Sequence, residues 1–509
     1  MKKIGIKITA LGICLLFALS IPMGVVNAKA ESSYTYNYDY WGEFTDSPDA
    51  YTPALCVTSS EILDENGEVG LDKVMRSPDG LTCWNDMIYV CDSGNNRILE
   101  MKLVEGPKLQ LVRVIDEFKG NTEPLTFNNP TDVQISEEGY FYIADKDNGR
   151  ILKLDPDMNY VCQFLKPNDA SLDKDLEFKP SKIAIDTADR VYCVASGINK
   201  GLVKYEADTT FSGFIGATPA TYNFWDWFWK HFATEAQKEK MLNFVPTEYD
   251  NLYMDKEGFI YVVTGKPSEE DIKSGAQNVV RKLNLLGNDI LVRNGNWDIY
   301  GDLYMGSGGN ISGPSRFTDI TCLDNDIYIC LDKTRGRLFG YDDQGRCVFI
   351  FGGTGNMDGY FKKVAAIDHL GNNLIVLDSS DCAITVFMPT EQGKLIYQAI
   401  DQFDQGLYDD AEVTWRQVLE NDGNCDLAYI GIGRSLLRQK KYSESMEYFK
   451  LKHDAQNYSK AFKQYRKEWV EDNIVKIVIV LLILILVPFG IGKLKSIKHE
   501  IDTADIFQL

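Results

Sequence analysis

Apolar and polar positions follow one recurring pattern along residues 50–390. Each copy has an apolar run, a polar turn and a second apolar run, and a third apolar run follows a polar loop. Short apolar runs bounded by turn residues predict antiparallel β-strands joined by hairpins. The six copies begin at Ser77, Asn129, Lys179, Val245, Ser315 and Lys363. The pattern therefore predicts six antiparallel meanders.

The meanders must pack so that both faces of each sheet are buried. Radial packing into a β-propeller achieves this and leaves only short edges, whereas a β-helix would need a shorter and more regular period. Because an open ring would expose a strand edge, we expect residues 50–60 to pair with the last blade. The alternating aromatic run 34–40 predicts a further strand that covers an edge of the propeller.

Three copies carry an aspartate at a strand end and an arginine five residues later. The pairs are Asp92 and Arg97, Asp145 and Arg150, and Asp332 and Arg337. Such an aspartate can accept backbone N–H groups of the following turn, and the arginine can pair with it. Because the pair recurs from copy to copy, we interpret it as structural and not as a ring of ligand-binding charges.

The run YVCDSGNNRI at 89–98 resembles the NHL repeat. The resemblance implies a mainly β fold in which residues 31–390 form a six-bladed NHL-like propeller of the gluconolactonase-like superfamily. Three copies depart from the motif, with Ala195, Thr264 and Ala383 at the corresponding positions. Propellers serve as binders, scaffolds, lactonases and lyases, so the resemblance implies no single activity.

The apolar period becomes helical after the propeller. Tyr408, Ala411 and Trp415 are matched 34 residues later by Tyr442, Ser445 and Phe449. This period resembles the tetratricopeptide repeat, so we expect residues 391–470 to form a small all-α region. Two roles stay open for it: a stalk between propeller and membrane, or a groove that docks a protein.

The two ends of the chain predict its location. Residues 1–30 have a basic start, an apolar run and an Ala-Lys-Ala site, which favours a cleaved signal peptide over an uncleaved anchor. Residues 474–492 are apolar apart from Lys476 and predict a transmembrane helix. We therefore expect a single-pass cell-membrane protein with its ectodomain outside and a short cytoplasmic tail at 493–509.

The composition argues against several classes of function and site. The chain has 53 Lys and Arg against 74 Asp and Glu, a net charge of −21, which argues against a nucleic-acid partner. Its 4 histidines leave little for a tri-histidine zinc site or a histidine-based triad. No CxxC pair is present, and Cys91 and Cys330 occupy equivalent strand positions. We favour buried free cysteines over disulfide bridges.

Two aromatic segments are the candidate ligand-binding sites. The segment 222–242, a predicted helical insertion, contains Trp225, Trp227 and Trp229. The loop 294–304 contains Trp297, Tyr300 and Tyr304 beside several Asp and Asn residues. Aromatic rings can stack on sugars while amides and carboxylates bind hydroxyls. The alternative is that both segments pack against their own domain.

These features favour a membrane-anchored extracellular module without catalytic residues, metal or cofactor. We expect it to bind a protein or glycan partner at the cell surface, with an accessory role beside a transport system as an extension of that hypothesis. The alternative is a metal-dependent lactonase or related hydrolase acting in the propeller channel. The nearest string to the metal-site motif of that class, residues 316–319, lacks its amide.

Overall fold

The computed structural model describes residues 35–106, 108–173, 175–217, 249–265, 278–303 and 313–506. The predicted signal peptide and the 222–242 segment lie outside these residues. Three strands open the described chain: β1 (Thr35–Tyr38), β2 (Phe44–Asp46) and β3 (Tyr51–Thr58). The first two form an antiparallel hairpin.

Three antiparallel sheets follow in chain order. The first sheet contains β4 (Gly80–Trp84), β5 (Met87–Asp92), β6 (Arg97–Val104) and β7 (Lys108–Ile115). The second contains β8 (Pro130–Ile135), β9 (Phe141–Asp145), β10 (Arg150–Leu154) and β11 (Tyr160–Phe164). The third contains β12 (Pro180–Ile185), β13 (Val191–Ala195), β14 (Leu202–Tyr205) and β15 (Phe211–Ile215).

Three more sheets complete the propeller. The fourth contains β16 (Asn251–Met254), β17 (Ile260–Val263) and β18 (Val280–Leu283). The fifth contains β19 (Phe317–Cys322), β20 (Tyr328–Asp332), β21 (Arg337–Tyr341) and β22 (Cys347–Thr354), with β23 (Tyr360–Phe361) and the β1–β2 hairpin added at β22. The sixth contains β24 (Val364–Leu370), β25 (Asn373–Asp378), β26 (Ala383–Pro389) and β3.

The prediction of six blades is corrected by this topology, in which the sheets are numbered as blades in chain order. The described residues contain five complete four-stranded blades, and a three-stranded sheet stands between the third and fifth of the six sheets. The missing fourth strand is explained by the chain after β18. Leu283 forms only an isolated β-bridge with Asp289, and the chain then continues away from the sheet as the loop 294–303. That loop packs against the N-terminal hairpin and so adds no outer strand.

The innermost strands surround a channel, and each contacts the next, with β24 returning to β4. Apolar side chains fill the spaces between neighbouring sheets, and most of them are removed from water. One fully buried tyrosine recurs on the second strand of five sheets: Tyr89, Tyr142, Tyr192, Tyr261 and Tyr328. Cys91 and Cys330 are completely buried on the same strands, as expected for small apolar side chains.

Two predictions about strand edges are confirmed. Strand β3 pairs with β26 along its length, so residues 51–58 close the ring as expected for 50–60. Strand β1 pairs with β22 and covers the outer edge of the fifth blade. These pairings cover the outer edges of β26 and β22, which an open ring would expose.

A helical region follows the closing strand directly. Its helices are α1 (Glu391–Asp404), α2 (Tyr408–Asn421), α3 (Asp426–Arg438), α4 (Tyr442–Leu451) and α5 (Ala455–Ile506). The Thr390 hydroxyl caps α1 by accepting the Gly393 N–H at 3.2 Å. The hydroxyls of Tyr397 and Tyr51 form a hydrogen bond of 2.5 Å, which links α1 to β3, the strand that closes the ring.

The 34-residue period gives matching positions in two helix pairs. Helices α2 and α4 both begin at the repeated tyrosine, and Trp415 and Phe449 are both buried. A Cβ at Gly431 would lie 2.4 Å from the Trp415 ring, so the approach of α3 to α2 requires glycine there. Helix α5, which contains Pro488, is long and apolar enough to cross a membrane by length and composition.

Candidate functional site

The aspartate and arginine motif holds the turns of two blades. Arg97 Nε donates to Asp92 Oδ2 at 2.7 Å, and Arg150 Nε donates to Asp145 Oδ2 at 2.8 Å. Both carboxylates also accept backbone N–H groups, from Arg76 at 2.7 Å and from Asn128 at 2.7 Å. These four motif residues are buried and act as structural links between a strand end and the chain that leads into it.

The third pair, Asp332 and Arg337, does not form the expected ion pair. Asp332 accepts the Ser315 hydroxyl at 2.7 Å and the Arg316 N–H at 2.8 Å. Arg337 instead donates to the carboxylate of Asp302, a residue outside the motif. The reason is that the fifth blade carries the N-terminal hairpin on its outer side, where Asp302 supplies a closer acceptor.

Asp302 connects the N-terminal hairpin to the fifth blade through hydrogen bonds. Its carboxylate accepts the Tyr36 hydroxyl at 3.0 Å and also the Tyr38 hydroxyl, and only 1% of its side chain is exposed. Burial and then the neighbouring Asp302 charge raise the pKa of Tyr36 and of Tyr38, so both phenols stay protonated and donate. Arg335 adds a second guanidinium 3.8 Å from the same carboxylate.

Polar side chains line the central channel at one equivalent position of four inner strands. They are Asp132 on β8, Lys182 on β12, Asn251 on β16 and Asp319 on β19, and all are buried. Asp368 joins them from β24. Since every blade contributes its first strand to the channel, these side chains meet although they lie far apart in sequence.

The channel carboxylates link one blade to the next. Asp132 accepts the Ile183 N–H at 2.8 Å, and Asp319 accepts the Ile367 N–H at 2.8 Å. In the same way, Asp368 accepts the Cys83 N–H at 2.6 Å. Each of these bonds crosses from one inner strand to the following one, so the carboxylates hold the ring together.

Lys182 supplies the positive charge of the channel. Its Nζ donates to the backbone oxygen of Asp79 at 3.2 Å. Burial would lower the pKa of Lys182, but the carboxylates around it, Asp132 first, raise it overall, so the ammonium stays charged. Burial raises the pKa of Asp132 to about 6 and that of Asp319 to about 7 against the opposing effect of Lys182.

A second cavity, which we name the hairpin cleft, lies where the N-terminal hairpin meets the helical region. Its lining includes Asn37 and Tyr38 of β1, Asn294 and Trp297 of the 294–303 loop, and Asp422 and Asp426 beside α3. The cleft holds about 730 Å³ of free space, open solvent at its mouth included. The Ser47 hydroxyl donates to Asp422 at 3.1 Å, a direct link between hairpin and helical region.

The structure places the described candidate residues of the 294–304 loop in two settings. Trp297 lines the cleft and stacks on Tyr38 with ring centroids 5.3 Å apart. Its indole N–H is buried and has no hydrogen-bond partner among the described residues. Tyr300 packs against the apolar core of the fifth blade. Tyr304, Trp225, Trp227 and Trp229 lie outside the described residues.

Gly42 fixes the position of Trp297, and this gives a first prediction. Its φ is +77°, and a Cβ there would lie 2.5 Å from the indole ring. We expect Gly42→Ala to lower the free energy of unfolding by about 1–3 kcal/mol and to shift the Trp297 emission, because the ring must leave Tyr38.

The matched control is Gly106→Ala. Gly106 has a similar φ of +84° but nothing lies within 4 Å of its Cβ position. The difference between the two variants in urea unfolding and fluorescence, with Trp297→Phe as the spectral reference, isolates the ring contact. Equal effects of the two variants would contradict the proposed packing.

The described residues contain no group of three or more His, Cys, Asp or Glu side chains arranged to hold a metal ion. The chemistry of the channel also argues against a metal ion there. Asp132 and Asp319 already accept backbone N–H groups, and the Lys182 ammonium stands among them. The channel residues therefore do not fit a divalent cation, which the ammonium would repel.

No protein-family model and no curated protein matches the chain. Among solved structures it is similar to virginiamycin B lyase from Staphylococcus aureus, with 8% identity, 66% of this chain and 99% of that chain covered, and a TM-score of 0.37. A streptogramin B lyase has 10% identity, 67% and 100% coverage, and a TM-score of 0.38. A protein of unknown function from Bacteroides thetaiotaomicron has 13% identity, 68% and 78% coverage, and a TM-score of 0.37. All three TM-scores lie below 0.5, so the fold is assigned from the strand order described above.

Proposed function

We propose that this chain is a membrane-anchored extracellular module that binds a protein or glycan partner in the hairpin cleft. The observation that carries the proposal is the unpartnered, buried indole N–H of Trp297 at the lining of a polar cavity. A buried donor without an acceptor costs free energy, and a bound partner would supply the acceptor.

The chemistry of the cleft fits hydroxyl or amide groups. The exposed amides of Asn296 and Asn424 offer both donors and acceptors, while Asp422 and Asp426 offer acceptors. Since Tyr38 already covers one face of the Trp297 ring, recognition would use the indole N–H and the surrounding amides more than ring stacking. The NHL-like and tetratricopeptide-like character of the two regions belongs to the same proposal.

The anchor completes the proposed arrangement. The apolar stretch of helix α5 extends beyond the packed part of the helical region, and none of it is buried within the protein. A helix with such a surface is stable in lipid. With the predicted signal peptide, it would hold the propeller outside the cell and leave residues 493–509 inside.

The test compares partner binding by matched variants of the full-length protein. Asn296 and Asn424 line the cleft and are exposed, so Asn296→Ala/Asn424→Ala should fold normally. We expect gently solubilised wild-type protein to retain one stoichiometric partner, or to bind one glycan class on an array, and this variant to lose it at least tenfold.

The control variant is Asn66→Ala/Asn288→Ala, which removes two exposed amides elsewhere. It should bind like the wild type. Equal retention by the cleft variant would overturn the proposal, as would hydrolysis of lactones that EDTA abolishes. The latter result would support the metal-dependent lactonase, which we rank second because the ammonium of Lys182 lies among the channel carboxylates.

A further inference from the structure

A third cavity, which we name the basic groove, lies between the fifth blade and helices α3 and α5. Its cationic lining residues are Arg346, Arg434, Arg438, Lys440 and Lys460. The remaining lining residues include no carboxylate. A surface of this kind is unexpected in a chain whose net charge is −21. Local charge of one sign selects a ligand of the opposite sign.

Arg346 lines both the basic groove and the hairpin cleft, and one of its guanidinium nitrogens lacks a hydrogen-bond partner among the described residues. The residue is 7% exposed, and its Nη1 makes no hydrogen bond to any described residue. The nearest carboxylate oxygens are those of Asp342, 3.5 Å from Nη1, and Asp454, 3.8 Å from Nη2. A buried guanidinium with an unused donor is an independent sign that an acceptor is missing.

Arg434 faces the same space. Its guanidinium lies 4.3 Å from the centroid of the Phe403 ring, and no described carboxylate lies within ion-pair distance of it. Burial and then the positive charge of Arg346 lower the pKa of Arg434, although Asp343 and Asp342 act in the opposite direction. An anion bound beside both guanidinium groups would offset this effect on Arg434.

We propose that the basic groove binds a phosphate-bearing polyanion in the space outside the membrane. Guanidinium groups bind phosphate oxygens in pairs, and the lysines at the rim add point charges. The groove holds about 1,260 Å³ of free space, open solvent included, which exceeds one phosphate and suits several linked ones.

A membrane lipid is the less suitable source of the phosphate. Gln464, the last lining residue on α5, stands ten residues before Ile474, where the predicted span starts. At a rise of about 1.5 Å per residue this is roughly 15 Å, beyond a headgroup layer of about 5–8 Å. The inference goes beyond partner binding in the hairpin cleft and rests on the membrane anchor of the proposed function, not on the cleft.

The test measures binding of tripolyphosphate to the full-length protein in neutral detergent by titration calorimetry. We expect saturable binding that weakens as salt is added. The variant Arg438→Gln/Lys440→Gln changes two exposed side chains and should lower the affinity at least tenfold. Arg434→Gln, which removes a guanidinium beside Arg346, should lower it by a similar factor.

The control Lys179→Gln/Lys362→Gln makes the same change of net charge on the propeller and should bind like the wild type. Absence of saturable binding, or an equal loss in the control, would overturn the proposal. If tripolyphosphate does not bind but phosphatidylglycerol vesicles do, and Arg438→Gln/Lys440→Gln loses the vesicles, the groove is a lipid site and the proposal is overturned. Asn296→Ala/Asn424→Ala should leave tripolyphosphate binding unchanged, which separates this outcome from failure of the hairpin cleft.

Discussion

Replacing Lys182 with methionine is expected to lower the free energy of unfolding by about 3–5 kcal/mol at pH 8. The ammonium is buried in the channel, where its charge compensates the carboxylates of Asp132 and Asp319. Methionine fills a similar volume but leaves both carboxylates without an opposite charge. Urea unfolding of the detergent-solubilised protein, followed by near-UV circular dichroism, measures the loss.

The size of this effect should depend on pH. In the folded wild type, burial raises the pKa of Asp132 to about 6 and that of Asp319 to about 7, above their usual range. Groups with a raised pKa bind protons more tightly when folded, so their stabilisation is complete at low pH and is lost as pH rises through about 6 and about 7. Without Lys182 both pKa values rise further, so Lys182→Met should cost at least about 1.4 kcal/mol less at pH 5 than at pH 8.

Lys204→Met is the matched control. Lys204 lies on β14 of the same blade, and its ion pair with the partly exposed Glu206 is long, at 3.6 Å. We expect a loss below about 1 kcal/mol with little change between pH 5 and pH 8. If Lys182→Met behaved like this control, or cost the same at both pH values, the compensating role of Lys182 would be refuted.

Local patterns in the sequence were sufficient for much of the fold. The apolar run around residues 51–58 indicated the closing strand, and the alternating tyrosines indicated the edge strand β1. The five-residue spacing predicted the ion pairs of Arg97 and Arg150, because both partners belong to one hairpin. The aromatic loop 294–304 predicted a binding site, and Trp297 of this loop lines the hairpin cleft, where its role stays a prediction.

The sequence did not indicate the contacts that join distant segments. Lys182 and Asp319 meet only because the ring brings the first strands of separate blades together. One feature of the sequence could have indicated this contact. The first strands of four sheets carry a polar residue at the same position, each followed by an apolar residue. The contacts of Asp302 were harder to predict. Its partner Tyr36 is 266 residues away, and Arg337 already had Asp332 as an expected partner in its own hairpin.

Replacing Asp302 with asparagine is the other change expected to have a large effect. The carboxylate accepts the hydroxyls of Tyr36 and Tyr38 and pairs with Arg337 at a site that is almost fully buried. Asparagine preserves the shape but removes the charge beside the half-buried guanidinium of Arg337 and leaves the buried Arg335 with the more distant Asp332, 4.0 Å away. We expect a loss of about 3–5 kcal/mol in the free energy of unfolding.

The loss should appear first in the N-terminal hairpin, because Asp302 connects the hydroxyls of Tyr36 and Tyr38 to Arg337 of the fifth blade. Hydrogen exchange measured by mass spectrometry should therefore become faster in residues 35–46 and in the 294–303 loop, while the first two blades keep wild-type protection. Asp298→Asn, an exposed change in the same loop, should alter neither stability nor exchange by a measurable amount. Because the hairpin forms one wall of the cleft that contains Trp297, the Asp302 variant should also lose any partner bound there. Unchanged exchange in residues 35–46 would show that the hairpin is held by other contacts and would remove Asp302 from the support of the cleft.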